Sequence, residues 1–240
     1  MLADALAKPL KGRHVFMGYQ GIIFDFNGVL CWDTPLQTQA WDIYAMELRG
    51  ERFTPEELQE HVIGRSNRHI LQYISGRSYQ GAELRYHSEA KETIYRRLCL
   101  EQGAEFQLSP GALPLLDELK RRGVERSIAT SAGKENMLFY FKHLGLERWF
   151  RFDQIVYDDD HIATKPAPDA YLLAAKRLGL EPVVCAAVED SEHGIQAALS
   201  AGIGCLVALG TPEMNQKLET IPGVCLTVEN LGQIPVDVLF

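Results

Sequence analysis

The chain has 240 residues and a mass of 27.0 kDa, and its 46% hydrophobic and 23% charged residues are typical of a globular protein. Its formal net charge of −8 argues against a broad face for nucleic acid or anionic lipid, so we expect neither partner. No apolar run reaches the about 18 residues of a membrane span, and residues 1–20 lack the apolar stretch of a signal peptide. The five cysteines form no CxxC pair, which predicts free thiols in a cytoplasmic protein.

Short apolar runs closed by turn residues are typical of buried parallel strands, and amphipathic stretches between them indicate helices. The predicted strands cover residues 21–26, 124–130, 154–157, 183–189 and 204–209, with a further short strand at 224–228. The predicted helices cover residues 112–122, 134–144, 168–178 and 191–201. Strands that alternate with helices in this way predict an α/β fold, in which helices cover both faces of a parallel sheet.

A helical insert interrupts this alternation between residues 35 and 108, where strand-like runs are almost absent. Within it, Thr54 precedes Pro55 and is followed three residues later by Glu57, which is the pattern of a capping box at a helix start. We therefore predict a helical cap domain at residues 36–108. It would be inserted into a core made of residues 20–35 and 109–240, after an N-terminal extension of residues 1–19.

Polar residues follow the predicted strands at their carboxyl ends, which is where parallel α/β sheets bind ligands. These residues are Asp25 and Asn27 after the first strand, Thr130 and Ser131 after the second, Lys165 in the loop before a helix, and Glu189 and Asp190 after the strand at 183–189. We expect them to converge on one edge of the sheet.

Such a set suits phosphoryl transfer. Asp25 can attack phosphorus and form an aspartyl phosphate, while Mg²⁺ would lie between Asp25 and Asp190. Lys165 would neutralise charge on the transferred group. The hydroxyl of Thr130 and the backbone N–H of Ser131, expected at a helix start, would hold phosphate oxygens.

Four segments, DFNGVL, IATSA, TKPAPDAY and VEDSEHGIQAA, resemble in order the four motifs of the haloacid dehalogenase superfamily of phosphohydrolases. The run KPAPDAY followed by VEDSEHGIQAALSAG is especially similar to the β-phosphoglucomutase-like branch. The resemblance extends from about residue 21 to residue 209. It implies a Rossmann-like core with an inserted helical cap, and a Mg²⁺-dependent phosphatase-type hydrolase that acts on a small phosphorylated metabolite.

The resemblance also implies a role for each residue that falls on a motif position. Asp25 would be the nucleophile and a metal ligand, and the backbone carbonyl of Asn27 and the carboxylate of Asp190 would be further ligands. Thr130 and Lys165 fall on the phosphate-holding positions. Mg²⁺ is the cofactor that this assignment implies.

Asn27 departs from the family's pattern, because phosphatases and mutases of the superfamily usually carry a second Asp there, which protonates the leaving group and then activates water. An amide exchanges no proton near neutral pH, and loss of a general acid/base costs ~10²–10⁴ in rate. Three explanations stay open: substrates whose leaving group needs little protonation, a protein that binds a phosphorylated ligand but turns it over poorly, or an engineered change that traps a complex. A β-phosphoglucomutase-like mutase must move protons repeatedly, so it fits less well.

Other residues have two interpretations each. Arg65 and Arg68 in the cap could hold an anionic group of the substrate, or could be surface charges. Glu189 could bind the metal directly, bind it through water, or cap the next helix. The three adjacent carboxylates at 158–160 could form a second metal site, but such a run in a loop is more often exposed to solvent, and we favour that interpretation. Lys91 is the only lysine of the predicted cap, and its place within a long helix disfavours a Schiff-base role. A monomer is the expected state.

Overall fold

The computed structural model describes residues 18–159 and 161–240, which form two compact units. The first unit comprises residues 18–30, 108–134, 145–159 and 161–240, and the second comprises residues 31–107 and 135–144. Most of the predicted N-terminal extension, residues 1–17, lies outside the described residues. Within the described parts, none of the helices combines the length and the apolar character that crossing a membrane requires.

The first unit is built on a six-stranded sheet with the strand order β3-β2-β1-β4-β5-β6. Its strands are β1 (Gly21–Phe24), β2 (Glu125–Gly133), β3 (Val156–Asp158), β4 (Cys185–Glu189), β5 (Cys205–Leu209) and β6 (Val224–Val228). All neighbouring strands are parallel. The predicted α/β fold with a parallel sheet is therefore confirmed.

The described residues of the two units contain ten α-helices. They are α1 (Thr34–Arg49), α2 (Pro55–Glu57), α3 (Asn67–Ser75), α4 (Gly81–Glu101), α5 (Ala112–Arg121), α6 (Lys134–Leu144), α7 (Asp169–Leu178), α8 (Glu192–Ser200), α9 (Pro212–Leu218) and α10 (Val236–Leu239). Strands β4 and β5 are buried at every position, as expected where both faces of a sheet are covered. Alanines of α7 and α8 belong to the same buried cluster as residues of β1, β2, β4 and β5, and their small side chains let these elements pack closely.

The second unit is helical and has its own core. Aromatic and aliphatic side chains of α1 and α3 form this core, among them Trp41, Tyr44, Ile70 and Leu71. The capping box at Thr54 is confirmed, since its side chain accepts a hydrogen bond from the backbone N–H of Glu57. Helix α2 continues beyond Glu57 as a π-helical turn, Leu58–Val62.

Helix α6 groups with the second unit, whereas the boundaries predicted above place it in the core. Side chains of α4 hold it there: the hydroxyl of Tyr140 donates to the hydroxyl of Tyr95 at 3.0 Å, and the amide of Asn136 donates to Glu92 at 2.8 Å. An amphipathic pattern shows that a helix has an apolar face but not which neighbour covers it. This is why the sequence located the helix but not its unit.

Candidate active site

The carboxyl ends of β1 and β4 bring three acidic side chains together. Phe24 pairs with Val188, and the backbone N–H of Asp25 donates to the carbonyl of Val188 at 3.0 Å. Because the two strands are neighbours and parallel, the chain delivers Asp25 beside Glu189 and Asp190. Carboxylate oxygens of these three residues lie within 4.8 Å of one another. The structure thus brings Asp25 and Asp190 close enough to share an ion.

Lys165 supplies the cation of this cluster. It lies in the segment before α7, and its side chain is only 8% exposed. Its Nζ lies 3.0 Å from Oδ1 of Asp25 and 2.5 Å from Oε1 of Glu189. The ammonium group is therefore held against the predicted nucleophile, as expected of a residue that neutralises charge at this position.

Glu189 is fully buried and accepts hydrogen bonds at both carboxylate oxygens. Its Oε1 accepts from Lys165 and, at 2.7 Å, from the hydroxyl of Tyr171. Its Oε2 accepts from the backbone N–H of Asp190 at 3.1 Å and from the hydroxyl of Ser191 at 3.2 Å. This arrangement favours Glu189 as the anchor of Lys165 over a role as a direct metal ligand.

The sequence analysis missed Tyr171. It lies on the buried face of α7 with Ala170 and Ala174, so its position is that of an ordinary core residue. The available signal was chemical: a buried tyrosine hydroxyl needs a hydrogen-bond partner. The sequence could not show that this partner is Glu189.

Burial and repulsion between carboxylates dominate the electrostatics of the cluster. Burial raises the pKa of Asp25 to about 6, although the ammonium group of Lys165 opposes this shift. Burial and, to a smaller extent, repulsion from the Asp25 carboxylate raise the pKa of Asp190 well above its usual range. Burial alone would lower the pKa of Lys165, but the carboxylates of Asp25 and Glu189 outweigh it and raise that pKa. Lys165 is therefore charged, and its single ammonium group cannot compensate three carboxylates.

The residues present fit a hard divalent cation such as Mg²⁺. If all are ionised, the three carboxylates and one ammonium group leave two uncompensated negative charges, which one divalent cation would neutralise. Carboxylate oxygens are also the ligands that Mg²⁺ prefers. Because Glu189 is already engaged at both oxygens, Asp25 and Asp190 are the side chains that would hold the ion. Within the described ranges this is the one acidic cluster whose atoms have metal-ligand spacing.

The raised pKa of Asp25 predicts how stability depends on pH. A carboxyl that binds its proton more tightly in the folded protein stabilises the fold below its unfolded pKa of 3.8, and this contribution is lost as the pH rises through about 6. In EDTA, we therefore expect the free energy of unfolding to fall across this window by more in the wild-type protein than in Asp25→Asn. Urea unfolding of both proteins at several pH values measures the difference, and a difference that is independent of pH would contradict the assignment.

Thr130 and Ser131 line a small pocket together with Thr164 and Lys165. Thr130 is nearly buried, and its Oγ1 accepts from the backbone N–H of Ala132 at 3.1 Å, which leaves its proton available to a phosphate oxygen. Strand β2 runs on to Gly133, so Ser131 lies within the strand and not at a helix start as expected. The expected help from a helix N-terminus therefore does not apply to Ser131.

Gly28 has a positive φ of +82°, and a Cβ at this position would lie 1.9 Å from Oδ2 of Asp190. We expect Gly28→Ala to displace the Asp190 carboxylate and weaken Mg²⁺ binding by on the order of 10- to 100-fold, measured by isothermal titration calorimetry. Gly202→Ala is the matched control, since Gly202 has a φ of +76° with nothing within 4 Å of its added Cβ. That control should lose about 1–2 kcal/mol of stability and keep its Mg²⁺ affinity. Equal Mg²⁺ affinity in the two variants would argue against Asp190 as a ligand.

The predicted cap residues lie in the second unit. Arg65 and Arg68 are both exposed, and Nε of Arg65 donates to the backbone carbonyl of Glu60 at 3.3 Å. Their role with substrate stays a prediction. Lys91 is 1% exposed, and its ammonium group is paired with Glu92 at 2.9 Å. The expectation that Lys91 forms no Schiff base stays a prediction.

The acidic run at 158–160 is described only in part, because Asp160 lies outside the described residues. Asp158 ends β3, and Oδ1 of Asp159 accepts from the backbone N–H of His161 at 3.0 Å. The interpretation of this run as a solvated loop stays a prediction.

Comparisons with known proteins identify the class. The haloacid dehalogenase-like hydrolase family matches residues 19–202, and the chain belongs to this family. Fructose-1-phosphate phosphatase YqaB of Escherichia coli (strain K12) is 32% identical over 191 residues, 77% of this chain and 94% of that protein. A crystal structure of a HAD hydrolase, family IA, variant 3, from Entamoeba histolytica superposes with a TM-score of 0.85 and 31% identity, covering 92% of this chain and 97% of that one.

Within the family, the β-phosphoglucomutase-like branch predicted from the motif runs is also confirmed. Beta-phosphoglucomutase of Mycobacterium bovis is 27% identical over 212 residues, 78% of this chain and 79% of that protein. The predictions of the superfamily and of a phosphatase-type hydrolase are confirmed as well.

Proposed function

We propose that this protein is a Mg²⁺-dependent phosphohydrolase that cleaves a small phosphorylated metabolite through an aspartyl phosphate on Asp25. The observation that carries the proposal is the placement of the Lys165 ammonium 3.0 Å from the Asp25 carboxylate, with Asp190 in the same cluster. The names of the relatives, a fructose-1-phosphate phosphatase and a beta-phosphoglucomutase, support a sugar phosphate as the substrate class.

The proposed reaction has two steps. A carboxylate oxygen of Asp25 forms a bond to phosphorus while the bond from phosphorus to the leaving oxygen breaks, and water then hydrolyses the aspartyl phosphate. Lys165 and the hydroxyl of Thr130 stabilise the charge on the phosphoryl oxygens. A bound Mg²⁺ would supply further charge neutralisation at the same oxygens.

Asn27 sets the expected substrate range. Because its amide cannot protonate the leaving oxygen, leaving groups that depart as stable anions should react fastest. We expect Mg²⁺-dependent phosphate release, inhibited by EDTA, that is faster from p-nitrophenyl phosphate and acetyl phosphate than from a panel of sugar phosphates that includes fructose 1-phosphate. Release that is unchanged by EDTA would contradict the metal assignment.

A protein that binds a phosphorylated ligand without turning it over is the second candidate, and Asn27 is the observation that favours it. Binding of a sugar phosphate in calorimetry, with no phosphate release from any substrate of the panel, would select this candidate. The cytoplasmic location and the monomeric state remain parts of the proposal. The location is supported by the five cysteines, none of which forms a disulfide in the part of the chain that the structure describes.

A further inference from the structure

Tyr171 belongs to the active-site hydrogen-bond network although its hydroxyl is bonded to Glu189 and not to Asp25 itself. Its side chain is fully buried in α7, and its hydroxyl donates to Oε1 of Glu189 at 2.7 Å. The same oxygen accepts from Lys165, and Lys165 in turn contacts Asp25. Tyr171, Glu189, Lys165 and Asp25 thus form a continuous chain of contacts that ends at the nucleophile.

The ring of Tyr171 contributes a second contact, since Nζ of Lys165 lies 5.2 Å from its centroid. An ammonium group at this distance from an aromatic ring is attracted by it. Tyr171 therefore touches both partners of the Lys165–Glu189 ion pair, one through its hydroxyl and one through its ring. This arrangement fixes where the two charged groups lie relative to each other.

The hydroxyl also limits how Glu189 can move. Oε1 of Glu189 accepts two hydrogen bonds in its present orientation, and turning towards a bound cation would break them. Loss of the Tyr171 hydroxyl would remove one of these hydrogen bonds and make the turn less costly. If Glu189 turned, Lys165 would lose the 2.5 Å ion pair that holds its ammonium group beside Asp25. Gly194 packs directly against the Glu189 carboxylate, since an added Cβ at this position would lie 1.9 Å from Oε1 of Glu189. The backbone of α8 therefore also limits where this carboxylate can move.

We propose that Tyr171 is a positioning residue that orients Glu189, so that Glu189 holds the Lys165 ammonium at the phosphate site beside Asp25. The inference rests on the function proposed above, because Lys165 is taken to bind the phosphoryl group. It predicts that the Tyr171 hydroxyl contributes to phosphate affinity without touching phosphate.

The test is the affinity of the full-length protein for inorganic phosphate in the presence of Mg²⁺, measured by calorimetry, which needs no turnover. Tyr171→Phe removes only the hydroxyl and should weaken phosphate binding about tenfold, the effect expected for one hydrogen bond to a charged group. Tyr140→Phe is the matched control: Tyr140 is also fully buried, and its hydroxyl is bonded to Tyr95 in the second unit. That control should show a similar drop in melting temperature and unchanged phosphate affinity.

A second variant, Glu189→Gln, separates positioning from a general loss of packing. If Tyr171 acts through Glu189, adding Tyr171→Phe to Glu189→Gln should weaken phosphate binding little further. Fully additive effects, or a Tyr171→Phe protein with wild-type affinity, would overturn the inference. If the wild-type protein itself binds no phosphate with Mg²⁺, the proposed function fails first, and the two failures are thereby distinguished.

Discussion

Replacing Asp25 with asparagine is expected to reduce phosphate release by on the order of 10⁴ or more, to the background of the assay. An amide oxygen lacks the charge that attacks phosphorus, and the substitution also removes one of the two carboxylates that would hold Mg²⁺. The wild-type protein mixed with a reactive phosphate ester should gain the mass of one phosphoryl group, located on Asp25 by peptide mass spectrometry. This adduct should accumulate, because Asn27 cannot activate water to hydrolyse it.

Asp153→Asn is the control for this experiment. Asp153 is 66% exposed, pairs with Arg151 and is not part of the acidic cluster, so its isosteric substitution should leave both turnover and adduct unchanged. If the Asp25→Asn protein still formed the adduct, or if the label appeared on another residue, Asp25 would not be the nucleophile.

Replacing Asn27 with aspartate should raise turnover of sugar phosphates by roughly 10² or more. The new carboxyl would supply the proton that an alkoxide leaving group needs. The first step with p-nitrophenyl phosphate, followed as the initial burst of nitrophenolate, should rise much less, because a nitrophenolate departs without protonation. The ratio of the first-step rates for the two kinds of substrate, measured in single turnovers of both proteins at saturating Mg²⁺, therefore separates leaving-group protonation from hydrolysis of the aspartyl phosphate.

The outcome also decides between the two candidate functions. A large gain for sugar phosphates would show that residue 27 is the missing general acid/base in an otherwise complete site. If neither the unmodified protein nor the Asn27→Asp variant releases phosphate from any substrate, the ligand-binding interpretation is favoured. Equal rates in two active proteins would show that residue 27 does not transfer the proton.

Much of the fold could be predicted because local patterns determine it. The buried strands and the helices between them follow from hydrophobic periodicity, which is why helix α6 coincides with its predicted range at residues 134–144. The start of β4 was predicted two residues too early, at residue 183, because residues 183 and 184 belong to the apolar run. In the structure, Pro182–Val184 form a 3₁₀ turn and the strand begins at Cys185. Hydrophobicity alone does not distinguish these two conformations.

For the site, the sequence predicted which residues lie at the carboxyl edge of the sheet, but not which of them contact one another. Residues at the carboxyl ends of parallel strands lie at one edge of the sheet, so Asp25 and Asp190 were both expected there. That they are neighbours follows from the pairing of β1 with β4, which the sequence did not show. Hydrogen-bond partners depend on side-chain orientation, which no pattern in the chain encodes. The engagement of both Glu189 oxygens and the contact with Tyr171 therefore emerged only from the structure.

The most direct measurement is an anomalous difference map from crystals of the wild-type protein soaked with Mn²⁺ as a substitute for Mg²⁺. A single strong peak about 2.0–2.5 Å from carboxylate oxygens of both Asp25 and Asp190 is the expected result. A peak held instead by Asp158 and Asp159, or density at Asp25 that is explained without an ion while Mn²⁺ binds elsewhere, would contradict the account.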